Sequence, residues 1–234
     1  MVIFQSEKVS IRTVMPVDRF IMGVDLGQSS DPTAICVLHH TVTPLDEWDQ
    51  QIGGEVKAKH SRQRHRTRFD VRHLERVPLG TPYPEVVQRV GDLLARPPLR
   101  HGCELVVDET GVGRAVADIF DTAGLDATRV TITAGNETTN PSPKRWHVPK
   151  GQLISIVDAM LHVGELRFSP DLTDAGALAE ELKDFRRKVS DAGRATYNAR
   201  TGKHDDLVLS IAIALWRATQ PTRSAASAPV VGLL

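Results

Sequence analysis

Four carboxylates stand where chemistry could use them. Asp25 closes the apolar run "FIMGVD" (20–25), and Asp108 closes "CELVVD" (103–108). Asp205 and Asp206 stand side by side before "LVLSIAIALW" (207–216). Each acid sits at the exit of an apolar element, neither fully in water nor fully in a core. Carboxylates crowded together repel, and one of them takes up a proton unless a cation intervenes. A hard divalent ion removes that penalty. Mg2+ takes a few carboxylate oxygens and completes its shell with water and phosphate oxygens. Two such ions about 3.5–4 Å apart can activate a water and stabilise the leaving oxygen in phosphodiester cleavage. Each acid alone has a plainer use. Asp25 could form a turn before Gly27, Asp108 could begin a strand-to-helix turn, and one of the last pair could cap a helix. The set as a whole points to a catalytic metal site.

The elements that must gather these acids follow from periodicity. Residues 20–27 read as a buried strand, joined by the polar turn "QSSD" to a second strand at 32–40, a hairpin spacing. Residues 68–78 alternate and read as a third strand, with 41–67 a long loop or insertion. Val86, Val87, Val90, Leu93 and Leu94 have helical spacing, and Pro97-Pro98 stop that helix. "CELVVDE" is a strand, "GVGRAVADIF" a helix and "RVTITAG" (129–135) another strand. Residues 136–149 read as a loop, and helices are expected over 150–163, 171–188 and 205–218. Residues 1–19 show no period and are expected to be an arm; the tail from Gln220 is expected to be poorly ordered. The fold class is therefore α/β, a mixed sheet with antiparallel strands 1–3 followed by parallel strands, and helices on both faces. Sites in such sheets form at the carboxyl ends of the strands. Asp25 and Asp108 fall side by side there if their strands are parallel neighbours.

The remaining features narrow the function. The chain has 234 residues, 25% of them charged, with a formal net charge of zero. That length can bury a real core. Cys36 and Cys103 lie in strand-like runs without metal-ligand spacing, as expected of reduced core thiols in the cytoplasm. No apolar run is long enough to span a membrane, and no signal-peptide pattern opens the chain. No GxxxxGK[ST] stretch exists, so the sequence carries no P-loop ATPase motif. "TGVGRAV" offers GxG between strand and helix, but Val116 stands where a dinucleotide fingerprint has its third glycine, which favours a plain tight turn.

Basic residues cluster twice. Between Lys57 and Arg76 there are eight Lys or Arg against two acids, and between Lys183 and Lys203 seven against two. Such runs are commonly solvated faces, yet two strips on a neutral protein also suit a groove tracking a phosphate backbone. The candidate DNA contacts are Lys144, Arg145, Lys150, Arg187, Arg194, Arg200 and Lys203. The first strip reads as a flexible basic loop within reach of DNA. His204 is a candidate auxiliary group that could polarise water or touch a phosphate.

"MGVDLGQSSDPTAICVL", "LVVDETGVGRAVADIF" and "KHDDLVLSIAIALW" together resemble the C-terminal nuclease domain of phage terminase large subunits, a member of the ribonuclease H-like superfamily. The resemblance runs over residues 20–218, with 1–19 as an arm and 219–234 as a tail. It implies a Mg2+- or Mn2+-dependent endonuclease holding two ions, with ligands at Asp25, Asp108 and one of Asp205 and Asp206. The substrate implied is double-stranded DNA, cut from concatemers during genome packaging. The implied partners are a packaging ATPase motor, a small terminase subunit and a portal. Without a motor motif, the chain is expected to be an excised domain or a separately encoded subunit, working in the host cytoplasm. The rivals are a RuvC-like resolvase of branched DNA, an actin-like or sugar-kinase-type phosphotransfer fold suggested by "GVDLG", and a non-catalytic DNA-binding packaging module. Phasing the last helix at 100° per residue from Leu207, Val208, Ile211 and Leu215 puts His204 near the centre of its buried face. The same phasing puts Asp205 at the flank and Asp206 on the far side. That phasing, the "D-x-L" spacing of relatives and the positive helix end favour Asp205 as the ligand.

Overall fold

A computed structural model describes residues 9–27, 31–53, 58–191 and 204–221. At its centre lies strand β2 (Val17–Asp25), after a short β1 (Val9–Arg12). Ile21, Met22 and Val24 have no solvent exposure, so both faces of β2 are covered. A strand buried on both faces needs a continuous apolar run rather than alternation. β3 (Ala34–Gly53) and β4 (Ala58–Arg76) follow as an antiparallel hairpin. The chain then crosses through α1 (Tyr83–Leu94) to β5 (Cys103–Asp108), which pairs with β2 in parallel. Helix α2 (Gly113–Thr122) leads to β6 (Ala127–Thr133), parallel to β5. Next come β7 (Thr139–Ser142) and β8 (Arg145–Pro149), then α3 (Lys150–His162) and β9 (Leu166–Phe168). Helices α4 (Ala175–Asp191) and α5 (Asp206–Thr219) complete the described chain.

The strand order is β1-β4-β3-β2-β5-β6-β8-β7, with β9 added to β4. The first three long strands are antiparallel and β5, β6 and β8 continue in parallel. Helices cover both faces. Val86, Val87 and Val90 of α1 and Val116 and Phe120 of α2 pack with Met22, Val24 and Val107 on one side. On the other, α3, α4 and α5 pack against Ile21, Cys36, Leu38 and Val106. Trp216 of α5 is fully buried and meets Trp146 of β8 edge-on, with ring centroids 5.4 Å apart.

Three expectations change. Of the loop expected over 41–67, residues 41–53 belong to β3 and 58–67 to β4, strands of 20 and 19 residues. The loop expected over 136–149 contains β7 and β8, and β8 joins the sheet beside β6. Helix α5 has no single buried face: every residue from Asp206 to Trp216 is buried. It lies in the core between the sheet and helices α3 and α4, so its wheel carries no polar side to phase against.

α5 approaches β2 closely at Gly23. A Cβ built there would lie 2.0 Å from the Ser210 carbonyl oxygen and 3.1 Å from the Ala214 Cβ. Only a residue without a side chain allows this approach, which sets how close α5 lies to β2.

Candidate active site

Strand pairing brings the first two acids together. Asp25 and Asp108 are register partners at the carboxyl ends of neighbouring parallel strands. The negative charge of Asp108 therefore acts on Asp25 across the pair. Asp108 Oδ1 accepts the Thr110 backbone N–H at 2.9 Å and the Thr110 hydroxyl. That hydroxyl oxygen in turn accepts the Ile132 N–H at 2.7 Å, fastening the turn after β5 to β6. Gly111 takes φ 76°, which lets the chain reverse into α2 without the strain a side chain would bring. "TGVG" is thus a tight turn that holds Asp108.

The start of α5 brings the other pair to the same end of the sheet. Asp205 is the N-cap residue, yet its side chain caps nothing in the helix. Its Oδ2 instead accepts Lys150 Nζ at 2.6 Å. Asp206 is buried and its Oδ2 accepts Arg76 Nε at 2.6 Å. The other arm of the Arg76 guanidinium meets Glu181, also buried. Glu181 Oε2 accepts the Val208 N–H at 2.9 Å, satisfying one of the orphan amides at the start of α5. Arg76's own backbone N–H donates to Asp174 Oδ2 at 2.9 Å. One arginine therefore ties β4, α4 and α5 together beneath the acids.

The electrostatics follow from this crowding. Burial, then the negative charges of Asp108, Asp205 and Asp206, push the Asp25 carboxyl well above the ordinary range. Burial also raises Asp108, against the lowering effect of its hydrogen bonds from Thr110. Glu181 is raised to about 8 by burial, against the pull of the Val208 amide and Arg76. Four carboxylates at one end of a sheet with two counter-cations is a hard-oxygen donor set, which fits Mg2+ or Mn2+ rather than a thiolate-seeking metal. Among the described residues no three acids are closed into a metal-holding group; Asp205 is paired with Lys150 and Asp206 with Arg76. A groove of about 820 Å³ opens beside Asp108, lined by Thr110, Asn136, Lys150, Gln152 and Ser155 among others.

The candidate DNA contacts divide. Lys150 is at the site, on Asp205. Arg145 lies nearby, its guanidinium 3.9 Å from Glu109, the neighbour of Asp108. Lys144 is held away by an ion pair with Asp126. Arg187 falls in the last turns of α4, whose side chains lie outside the described part, and Arg194, Arg200 and Lys203 lie outside the described residues. His204, expected near the centre of a buried face, is exposed, with Nδ1 3.6 Å from Asp31 and 3.7 Å from Asp206. Asp206, expected on the far side, is the buried one of the pair. Arg76, Glu181 and Asp174 were not among the candidates. Glu181 had a visible signal, since it shares the helical face of Leu178 and Leu182, both packed on the core.

No family model matches the chain. Two curated relatives do, the terminase large subunits of Thermus phage G20c and Thermus virus P23-45. Each is 30% identical over 110 residues, covering 47% of this chain. The match spans 19% of each relative, about a fifth of its length. The crystal structure of the large terminase nuclease from phage G20c superposes with a TM-score of 0.51 and 19% identity, covering 90% of this chain and 94% of that one. The chain has the fold of a phage large-terminase nuclease. A second G20c nuclease structure, with bound magnesium, gives a TM-score of 0.52 at 22% identity, covering 88% of this chain and 85% of that one.

Proposed function

We propose that this chain is a Mg2+- or Mn2+-dependent endonuclease that cuts double-stranded DNA, as a large-terminase nuclease acting on concatemers in genome packaging. The observation that carries the reading is the Asp25–Asp108 register pair, with Asp205 and Asp206 delivered to the same strand ends by α5. Asp25, Asp108 and Asp205 would hold the metal, and Asp206, fixed by Arg76, would support them. When bound, two divalent ions would supply the activated water and the Lewis acid for phosphodiester hydrolysis. In that reaction water oxygen bonds to phosphorus and one P–O ester bond breaks. The chain's own residues prepare the place. Thr110 orients Asp108, and α5 is locked by Glu181 so that Asp205 keeps its position. Lys150, in the lining of the groove and paired with Asp205, would offer a cation to a phosphate oxygen of the bound backbone. Arg145 stands ready beyond Glu109 for the flanking backbone.

Partners follow from the same reading. On that reading this chain would work with a packaging ATPase motor, a small terminase subunit and a portal, in the host cytoplasm. No described helix is long and apolar enough to cross a membrane.

Plasmid cleavage tests the proposal. Wild-type protein with Mg2+ or Mn2+ is expected to nick or linearise supercoiled DNA. Asp25→Asn and Asp108→Asn are each expected to lower the rate by roughly a hundredfold or more, about 2.7 kcal/mol of transition-state stabilisation. The Asp25→Asn protein should melt no earlier than wild type, since it removes one of the mutually repelling carboxylates. Cleavage by Asp25→Asn at the wild-type rate would overturn the site.

A further inference from the structure

The outer β3–β4 hairpin contributes nothing to the core. None of its residues between Thr41 and Gln50, or between Ser61 and Arg68, is buried. It leaves the sheet at the end opposite the acids: Arg68 pairs with Thr41, which pairs with Asp18, seven residues before Asp25 on β2. At about 3.4 Å per residue, the arm begins roughly 24 Å from the acids and runs away from them.

On this arm β4 reads Arg62-Gln63-Arg64-His65-Arg66-Thr67-Arg68. Alternate residues of a strand share a face, and the irregularity in the pairing falls on β3, where three residues between Pro44 and Trp48 oppose Arg64. The four arginines therefore line one face at intervals of about 6.8 Å, a stripe roughly 20 Å long. All four are exposed. Arg64 is ion-paired with Glu47 and lies 3.9 Å from Asp49. Arg62, Arg66 and Arg68 make no ion pair with any described residue. β1 adds to the charge rather than relieving it, for Arg12 is the register partner of Arg62 and is also exposed. On its other side Arg62 has Asp49 as its register partner, an opposite charge, whereas Arg66 and Arg68 face Thr43 and Thr41. A regular row of exposed guanidiniums, three of the four without an ion pair to a described residue, suits a regular row of phosphates.

We propose that the Arg62–Arg68 stripe is a second DNA-binding surface, gripping the phosphate backbone of duplex DNA away from the position of cleavage. This rests on the nuclease reading for the identity of the polyanion, not for the existence of the stripe. The contact is with phosphates and carries no base readout.

The test is the salt dependence of binding to a duplex of about 40 base pairs, in EDTA so that cleavage plays no part, each phosphate contact contributing about 0.9 to the slope of log K against log[salt]. The combined Arg62→Gln, Arg66→Gln, Arg68→Gln variant is expected to lower that slope by roughly 2 to 3. The corresponding triple Arg→Lys variant should keep it. An unchanged slope in a triple Gln variant that melts like wild type would overturn the proposal. So would an unchanged slope accompanied by lost binding to polyglutamate, which would assign the stripe to an acidic protein surface. Because the assay contains no metal, its outcome is independent of whether the four acids cut DNA.

Discussion

Arg76 holds two buried carboxylates, Asp206 and Glu181, and reaches Asp174 through its backbone amide. Removing it would leave those carboxylates in the core without a counter-charge. Breaking a buried pair in this way typically costs 3–5 kcal/mol. Arg76 is itself a quarter exposed, so Arg76→Met is expected near the lower end, about 3 kcal/mol, read from the urea midpoint. Arg76→Lys keeps the charge but lacks the fork that meets both acids at once, and should fall between the two. If Arg76→Met unfolds at the wild-type midpoint, the arginine does not anchor α5. From sequence the four candidate acids were legible because each stands at one end of an apolar run. Arg76 was not, because it ends a strand full of other arginines and counted only as one more basic residue. What separates it from Arg62 or Arg68 is its tertiary setting, and local pattern carries no record of that.

At the scale of elements, α5 positions the site and Gly23 positions α5. The Ser210 carbonyl fills the space a side chain at Gly23 would need. Gly23→Ala therefore forces α5 off the sheet, an overpacking that costs about 1–3 kcal/mol. It should also slow cleavage far more than a surface change of equal stability cost, because Asp205 and Asp206 ride on the displaced helix. Comparing its plasmid-cutting rate with that of an equally destabilised variant remote from α5 would separate the two effects; equal rates would refute the coupling. β2, β5 and the α1, α3 and α5 helices were readable because their burial imposes period or continuity. The outer part of β4 was not, since its alternation is arginine against Gln, His and Thr, with no apolar face to betray a strand. β8 was masked by the proline that ends it and by the prolines and polar residues before it, although it lies beside β6 and brings Lys150 to the acids.

Across the whole molecule, the end of the sheet opposite the acids has its own charged cluster. Arg19 donates to Glu104 at 2.9 Å, to the Ala218 carbonyl at 2.6 Å and to His40 Nδ1 at 3.2 Å. Arg217 joins Glu104 at 2.7 Å. His40 is 6% exposed and stacks on Phe69, with centroids 4.6 Å apart. Burial, then the charges of Arg19 and His39, lower its pKa to about 4. An unfolded histidine titrates near 6.5. As pH falls below that value, the unfolded chain binds a proton that the folded chain refuses, so stability drops until about pH 4, where the folded ring also protonates. The slope from this one group is at most about 1.4 kcal/mol per pH unit. Glu75 acts in a lower window. Its carboxyl is held at about 2, chiefly by the hydrogen bonds from Arg89, so its stabilisation is present above about pH 4.5 and is lost as pH falls toward 2. The raised acids Asp25 and Asp108 work in the opposite sense, favouring the folded state as they protonate. They do so equally in wild type and in His40→Gln, which can still accept from Arg19 but cannot titrate. The difference between the two urea midpoints should therefore change between pH 6.5 and 4, in favour of the variant at the acid end, and be flat above pH 7. A constant difference across that range would mean that His40 accepts its proton in the fold as readily as in the unfolded chain.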